Sequence, residues 1–159
     1  MLLLFTILLG ACDTTGGGRI GGSAENRAER MARNGDHGDA AGAYMGLAVG
    51  AVGSERDRYT LLAVEQYLDA GDIGRARSAF ANVLRPDTGA LLPLWTTDRA
   101  AFHLYNGDAD AALDLLEPLS RRPLSQRDRL RVEALRADAW IQKQDPARAI
   151  ELMTQRETW

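Results

Sequence analysis

The sequence predicts an all-α fold, a helix-turn-helix solenoid of about four helix pairs. Two observations carry this. A turn signal returns at fixed spacing: Gly35-Asp36, Gly71-Asp72, Gly107-Asp108 and, altered, Gln144-Asp145, at steps of 36, 36 and 37 residues. Such a period, with the turn between two apolar-periodic stretches, marks stacked helical hairpins. Nor does any stretch alternate with period two over strand length, which would be needed for a sheet.

The elements follow in order. Residues 13–22, half of them glycine, read as a flexible tether. The first pair is expected at about Ala24–Arg33 and Gly38–Val52. Ser54-x-x-Asp57 resembles a capping box opening a helix that ends at Gly71. Asp72 caps the next helix, which carries Ala76, Ala79, Phe80, Val83 and Leu84 until Pro86 and Gly89 stop it. A third pair spans about Leu92–Tyr105 and Asp110–Glu117, closed by Pro118 and Pro123. Ser125-x-x-Asp128 opens a long helix to about Lys143. Asp145-Pro146 then supplies an N-cap followed by proline at the first helical position, where its missing N–H costs nothing.

Alignment on the turn shows why the hairpins close. Five residues past the glycine position stand Ala40, Ala76, Ala112 and Ala149. Seven before it stand Ala28, Val64, Ala100 and Ala137. Small residues at both places let the two helices of a pair approach closely. Large groups occupy two further positions: Tyr44, Phe80, Leu116 and Met153 nine residues after, and Met31, Tyr67, His103 and Trp140 four before. Glycine ends the first helix in a left-handed conformation and aspartate caps the second. Each pair alone exposes an apolar face, which stacking buries. Gly42, Gly46 and Gly50 weaken the second helix of the first pair, each by about 0.5–1 kcal/mol against alanine. The chain stops at Trp159 inside the last helix with no polar capping helix, which predicts either a sealing partner or a longer protein.

Composition excludes several functions. A net charge of -3 gives no general drive toward nucleic acid. The single cysteine, Cys12, excludes an intramolecular disulfide and a cysteine-rich zinc site. No metalloprotease, serine-hydrolase or phosphate-loop motif is present, so no catalysis, metal or cofactor is expected. His37 is expected exposed in its turn, and His103 at a packing position. The run Arg121, Arg122, Arg127, Arg129, Arg131, Arg136 reads either as a solvated surface or as a dock for an acidic partner or lipid headgroups.

The small/large alternation over roughly residues 21–159 resembles the tetratricopeptide family. That family binds partners in a concave groove lined by first helices, which implies a groove at Glu25, Glu29, Arg58, Leu61, Glu65, Thr97, Ala101, Leu104, Arg131, Ala134 and Asp138. A groove apolar at its centre and charged at its ends fits a helix or an extended segment.

At the N-terminus, the apolar stretch Leu2–Ala11 is too short to span a bilayer. It reads as an export signal over residues 1–11, although no Lys or Arg precedes Cys12. Leu9-Gly10-Ala11-Cys12 resembles the bacterial lipobox, which implies lipidation of Cys12, anchoring to a membrane and a tether over residues 12–22 before a repeat domain at 23–159. Asp13 resembles an inner-membrane retention signal.

Three blocks carry a narrower resemblance: Arg58–Glu65 leading to Ala70-Gly71-Asp72, Arg131–Trp140, and Asp145–Leu152 with Gln155-Arg156-Glu157. With the lipobox they are similar to the N-terminal domain of the penicillin-binding-protein activator lipoproteins of the LppC/LpoA type. That resemblance implies a periplasm-facing, outer-membrane scaffold that regulates a class A penicillin-binding protein in peptidoglycan synthesis, its synthase contact lying on a C-terminal domain absent from this chain. The alternatives are a stand-alone tetratricopeptide lipoprotein serving outer-membrane protein or pilus assembly, and an unanchored cytoplasmic adaptor.

Overall fold

Four turns of one design organise the chain. In the computed structural model, which describes residues 17–154, the described residues form eight α-helices and no strand. They are α1 (Gly17–Arg33), α2 (His37–Gly50), α3 (Gly53–Asp69), α4 (Ile73–Phe80), α5 (Leu91–Tyr105), α6 (Ala109–Ser120), α7 (Gln126–Gln142) and α8 (Pro146–Thr154). Within each pair the connection is three residues, and its middle residue is left-handed: Gly35 at φ 85°, Gly71 at 74°, Gly107 at 78° and Gln144 at 60°.

The hydrogen bonds repeat as well. Asp72 N–H donates to Tyr67 O at 2.8 Å and Gly71 N–H to Leu68 O at 3.0 Å; Asp108 and Gly107 do the same to His103 and Leu104, both at 2.9 Å. This is the Schellman arrangement, which satisfies carbonyls that a helix end leaves orphaned. Gln144 and Asp145 reproduce it, both at 2.9 Å. The fourth turn therefore keeps the geometry after losing the glycine, at the steric cost a side chain meets at positive φ. Asp72, Asp108 and Asp145 then accept a hydrogen bond from the N–H three residues on, capping α4, α6 and α8. Asp36 makes no such cap.

The small positions are the most buried. Ala28, Ala40, Val64, Ala76, Ala100 and Ala112 are fully buried, and Ala137 and Ala149 nearly so. Large groups fill three clusters strung along the chain. Tyr44, Leu61 and Leu62 join α2 and α3; Phe80 and Phe102, with ring centroids 5.3 Å apart, join α4 and α5; Leu116, Val132 and Leu135 join α6 and α7. Of the large positions, Met153 alone is exposed, at 42%. Each helix packs on its sequence neighbours, α4 mainly on α3 and on α5 through the Phe80–Phe102 ring contact; α5 also packs on α3 and on α7.

Several boundaries differ from expectation. Helix α1 begins at Gly17, so residues 17–22 are helical where a tether was expected; glycine tolerates helical angles but makes them costly. Helix α3 is already helical at Ser54, which caps nothing. Its N-cap is extended Val52, and Gly53 turns the chain at φ 58°. Helix α4 stops at Phe80: Val83 turns inward, buried at 7%, while Leu84 is 88% exposed. Pro86 disfavours helical angles at Arg85, so the helix cannot run on. Helix α6 instead continues through Pro118 to Ser120, because the buried Leu119 pulls the last turn onto the core. Ser125 does cap α7, accepting from Asp128 N–H at 3.1 Å and donating to its carboxylate at 2.7 Å. Cys12, the export signal, Gln155–Glu157 and Trp159 lie outside the described residues.

Candidate functional site

A cleft of about 810 Å³ is lined by α1, the start and middle of α2, α3 and α7. On α3 its lining residues are Arg58, Leu62, Glu65, Gln66 and Asp69, one stripe at helical spacing. On α7 they are Gln126, Arg127, Leu130, Arg131 and Ala134. Ala32, Tyr44, Leu62, Leu130 and Ala134 supply the apolar part.

Two rungs cross from α7 to α3. Arg127 donates to Glu65 at 2.6 Å, and Arg131 donates to Asp69 at 2.9 Å. Both rungs join residues 62 positions apart. Advancing four residues on one helix advances four on the other, so α3 and α7 run parallel, with α5 packed on both.

The opposite rim carries its own pair. Arg58 grips Glu25 through two nitrogens at 2.6 and 3.0 Å, and Tyr59 O–H donates to the same carboxylate at 3.1 Å. The hydrogen bond from Arg58 holds the Glu25 carboxyl below its ordinary range. Burial, reinforced by Glu29, pushes the Tyr44 hydroxyl up to about 12. Glu29 pairs with Arg33 at 3.5 Å. Each of the four lining carboxylates thus has an arginine, and the rim offers no surplus charge of either sign.

Asp98 of α5 is fully buried, and neither carboxyl oxygen has a hydrogen-bond partner. Burial, with Glu65 adding repulsion, raises its proton affinity well above that of an ordinary aspartate. The Nε of Arg131 is likewise buried without an acceptor. Burial works against the charge on Arg131, but Glu65 and Asp69 outweigh it and strengthen its hold on the proton.

The structure redistributes the expected groove. Arg58, Glu65 and Arg131 do line the cleft, with Glu25, Glu29 and Ala134. Leu61 is fully buried and Thr97 is 2% exposed. Thr97 Oγ1 donates back to Pro93 O and Leu94 O, each at 3.0 Å. Both are interior packing groups and present nothing to a partner. Ala101, Leu104 and Asp138 instead line a second cleft of about 380 Å³, which shares Asp69 and Arg131 with the first. Glu65 is itself buried. Sequence reasoning missed Leu62, Leu130 and Arg127 as lining groups; the stripe 58-62-65-69 carried the signal, since Leu62 lies on it and Leu61 is turned about 100° from Leu62. His37, expected exposed, is half-buried with Nδ1 2.9 Å from Gln66 Oε1. His103 is partly buried beside Asp108 at 3.3 Å. The arginine run divides among separate partners: Arg121 and Arg136 on Glu117, Arg127 on Glu65, Arg131 on Asp69.

Among the described residues no set of three His, Cys, Asp or Glu could hold a metal ion, and no helix is long and apolar enough to cross a membrane. Comparison with protein-family models, with curated proteins and with solved structures finds no match to this chain.

Proposed function

We propose that this protein is a non-catalytic binding scaffold of the tetratricopeptide type, whose α1–α3–α7 cleft takes up a segment of a protein partner. The observation that carries the reading is the cleft itself: about 810 Å³ with an apolar centre and a rim whose carboxylates are all paired. Such a rim gains little from a charged ligand, whereas the apolar centre gains from desolvation. The preferred occupant is a mostly uncharged, apolar helix or extended segment. The recurring turn and the buried small residues support the repeat reading.

Anchoring through a lipidated Cys12 would hold the scaffold at the periplasmic face of a membrane, the outer membrane before the inner. A role in regulating a class A penicillin-binding protein rests on the three sequence blocks and the lipobox. Its rival, a free-standing lipoprotein adaptor for outer-membrane protein or pilus assembly, uses the same cleft.

Photocrosslinking tests the reading. A photoreactive residue at Leu130 or Ala134 should yield a defined adduct in cells, and one at Ser78 on exposed α4 should not. Equal labelling at all three positions would refute a cleft-specific partner. Identifying the adduct separates the synthase from an assembly factor.

A further inference from the structure

Among the described residues, Asp98 alone has both polar side-chain atoms buried without a hydrogen-bond partner. A buried ionised carboxylate needs partners, and one left unpaired destabilises the fold. Asp98 has no hydrogen-bond partner among the described residues. Four charged groups face it: Glu65 and Asp69 from α3, and Arg127 and Arg131 from α7. These are the members of the two rungs. The third helix packed on α5 is α6: its Glu117 pairs with Arg121 and Arg136 and its Asp110 with Lys143, while Asp114 borders α5 beside Leu92, Trp95 and Thr96. On α5 itself, Arg99 is exposed and His103 sits beside Asp108.

The arrangement has two alternative pairings. With Asp98 neutral, Arg131 is free to serve Asp69 and Arg127 to serve Glu65, as observed. With Asp98 ionised, the buried charge needs a cation, and Arg131 already keeps a buried Nε N–H without an acceptor. Satisfying Asp98 would withdraw Arg131 from Asp69.

We propose that Asp98 is a proton-operated latch beneath the cleft: the α3–α7 rungs hold while it keeps its proton, and its ionisation draws Arg131 off Asp69 and loosens that wall. As regulation of the cleft, this rests on the binding reading above; as a property of the protein alone, it does not. The proton leaves to solvent and no bond other than O–H is broken.

The sign follows from linkage. Because folding raises the proton affinity of Asp98, its contribution to stability is complete at pH below the unfolded value and is lost as pH rises through the folded one. Between those limits the folded state holds one extra proton. The unfolding constant of the native protein, divided by that of Asp98→Asn, should therefore rise toward tenfold per pH unit. Urea unfolding of the whole protein from pH 5 to 9 reads this directly. A double-mutant cycle with Asp69→Asn and Arg131→Gln reads the latch: their coupling should fade at the alkaline end in the native background and persist across the range in the Asp98→Asn background.

A ratio independent of pH would show that Asp98 does not hold the proton. A sloping ratio with constant coupling would show that it titrates without moving Arg131. Either result overturns the latch and leaves the cleft reading standing, since no partner takes part. Should Asp98→Asn not fold, the carboxyl carbon resonance of Asp98 in the unaltered protein provides the test. Its titration must lie well above that of a free aspartate and must coincide with a shift at the Arg131 Nε resonance; titration in the ordinary range ends the proposal.

Discussion

Arg127 of α7 donates to Glu65 of α3 at 2.6 Å, although the two residues lie 62 positions apart and α5 packs between their helices. The Glu65 side chain is 11% exposed, whereas that of Arg127 is 50% exposed. The acid is thus the desolvated partner, and removing the arginine leaves it stranded. Arg127→Gln should cost about 1–3 kcal/mol, the penalty for an unpaired buried polar group, and adding Glu65→Gln should recover part of that loss. Urea denaturation of both variants checks it. Equal stability of Arg127→Gln and the native protein would mean that the rung contributes nothing. The same burial makes Glu65→Arg an unsuitable probe of partner capture, because it disturbs the scaffold first.

The turns predict opposite outcomes for two substitutions at equivalent positions. Gly71 has φ 74° and open space where a Cβ would lie, so the cost of Gly71→Ala is purely conformational, about 1 kcal/mol. Gln144 has φ 60° in the matching position, and Gln144→Gly should stabilise by roughly the same amount or somewhat less. Thermal melts of the pair separate backbone strain from side-chain packing. A destabilising Gln144→Gly would show that the glutamine side chain does more than occupy the turn.

Ala76 and Ala112 are fully buried at matching positions of their hairpins. Replacing Ala112 by leucine should cost about 1–3 kcal/mol through overpacking. Ala111→Leu, one position away and only half-buried, should cost less. If the two substitutions cost the same, close approach at the small site is not what closes the hairpin.

Glu25 gives the molecule an acid-side weakness. Arg58 holds its carboxyl below the ordinary range, so this contribution is present above the unfolded value and is lost as pH falls through the folded one. Arg58→Gln should lower the melting temperature near neutral pH and lose that difference progressively as pH falls below the ordinary glutamate range and through the lowered native value. A deficit that stays constant with pH would assign the effect to the packing of Arg58 over the Tyr59 ring, 4.4 Å away.

The anchor is checked separately. Cys12→Ser should move the protein from the membrane fraction to the soluble fraction, and unchanged recovery with membranes would count against lipidation.

Much of this fold is legible from local pattern. Gly-Asp at a recurring step, alanines flanking it at fixed offsets and the Ser125 cap are local signals, because turn geometry and capping act within a few residues. These determined the helical character of the described residues, three of their five left-handed glycines and every small site of the hairpins. Tertiary packing decided the rest. It carried α6 past Pro118 because Leu119 gained burial, and unwound Val83 into the core. It also chose which buried leucine of α3 borders the cleft: Leu62 does and Leu61 does not. The rungs from Glu65 to Arg127 and from Asp69 to Arg131, and the stranded Asp98 between them, depend on three helices meeting across 62 residues of chain. Charge pairing at that range comes from how the hairpins stack, and the sequence alone determines only that the charges exist.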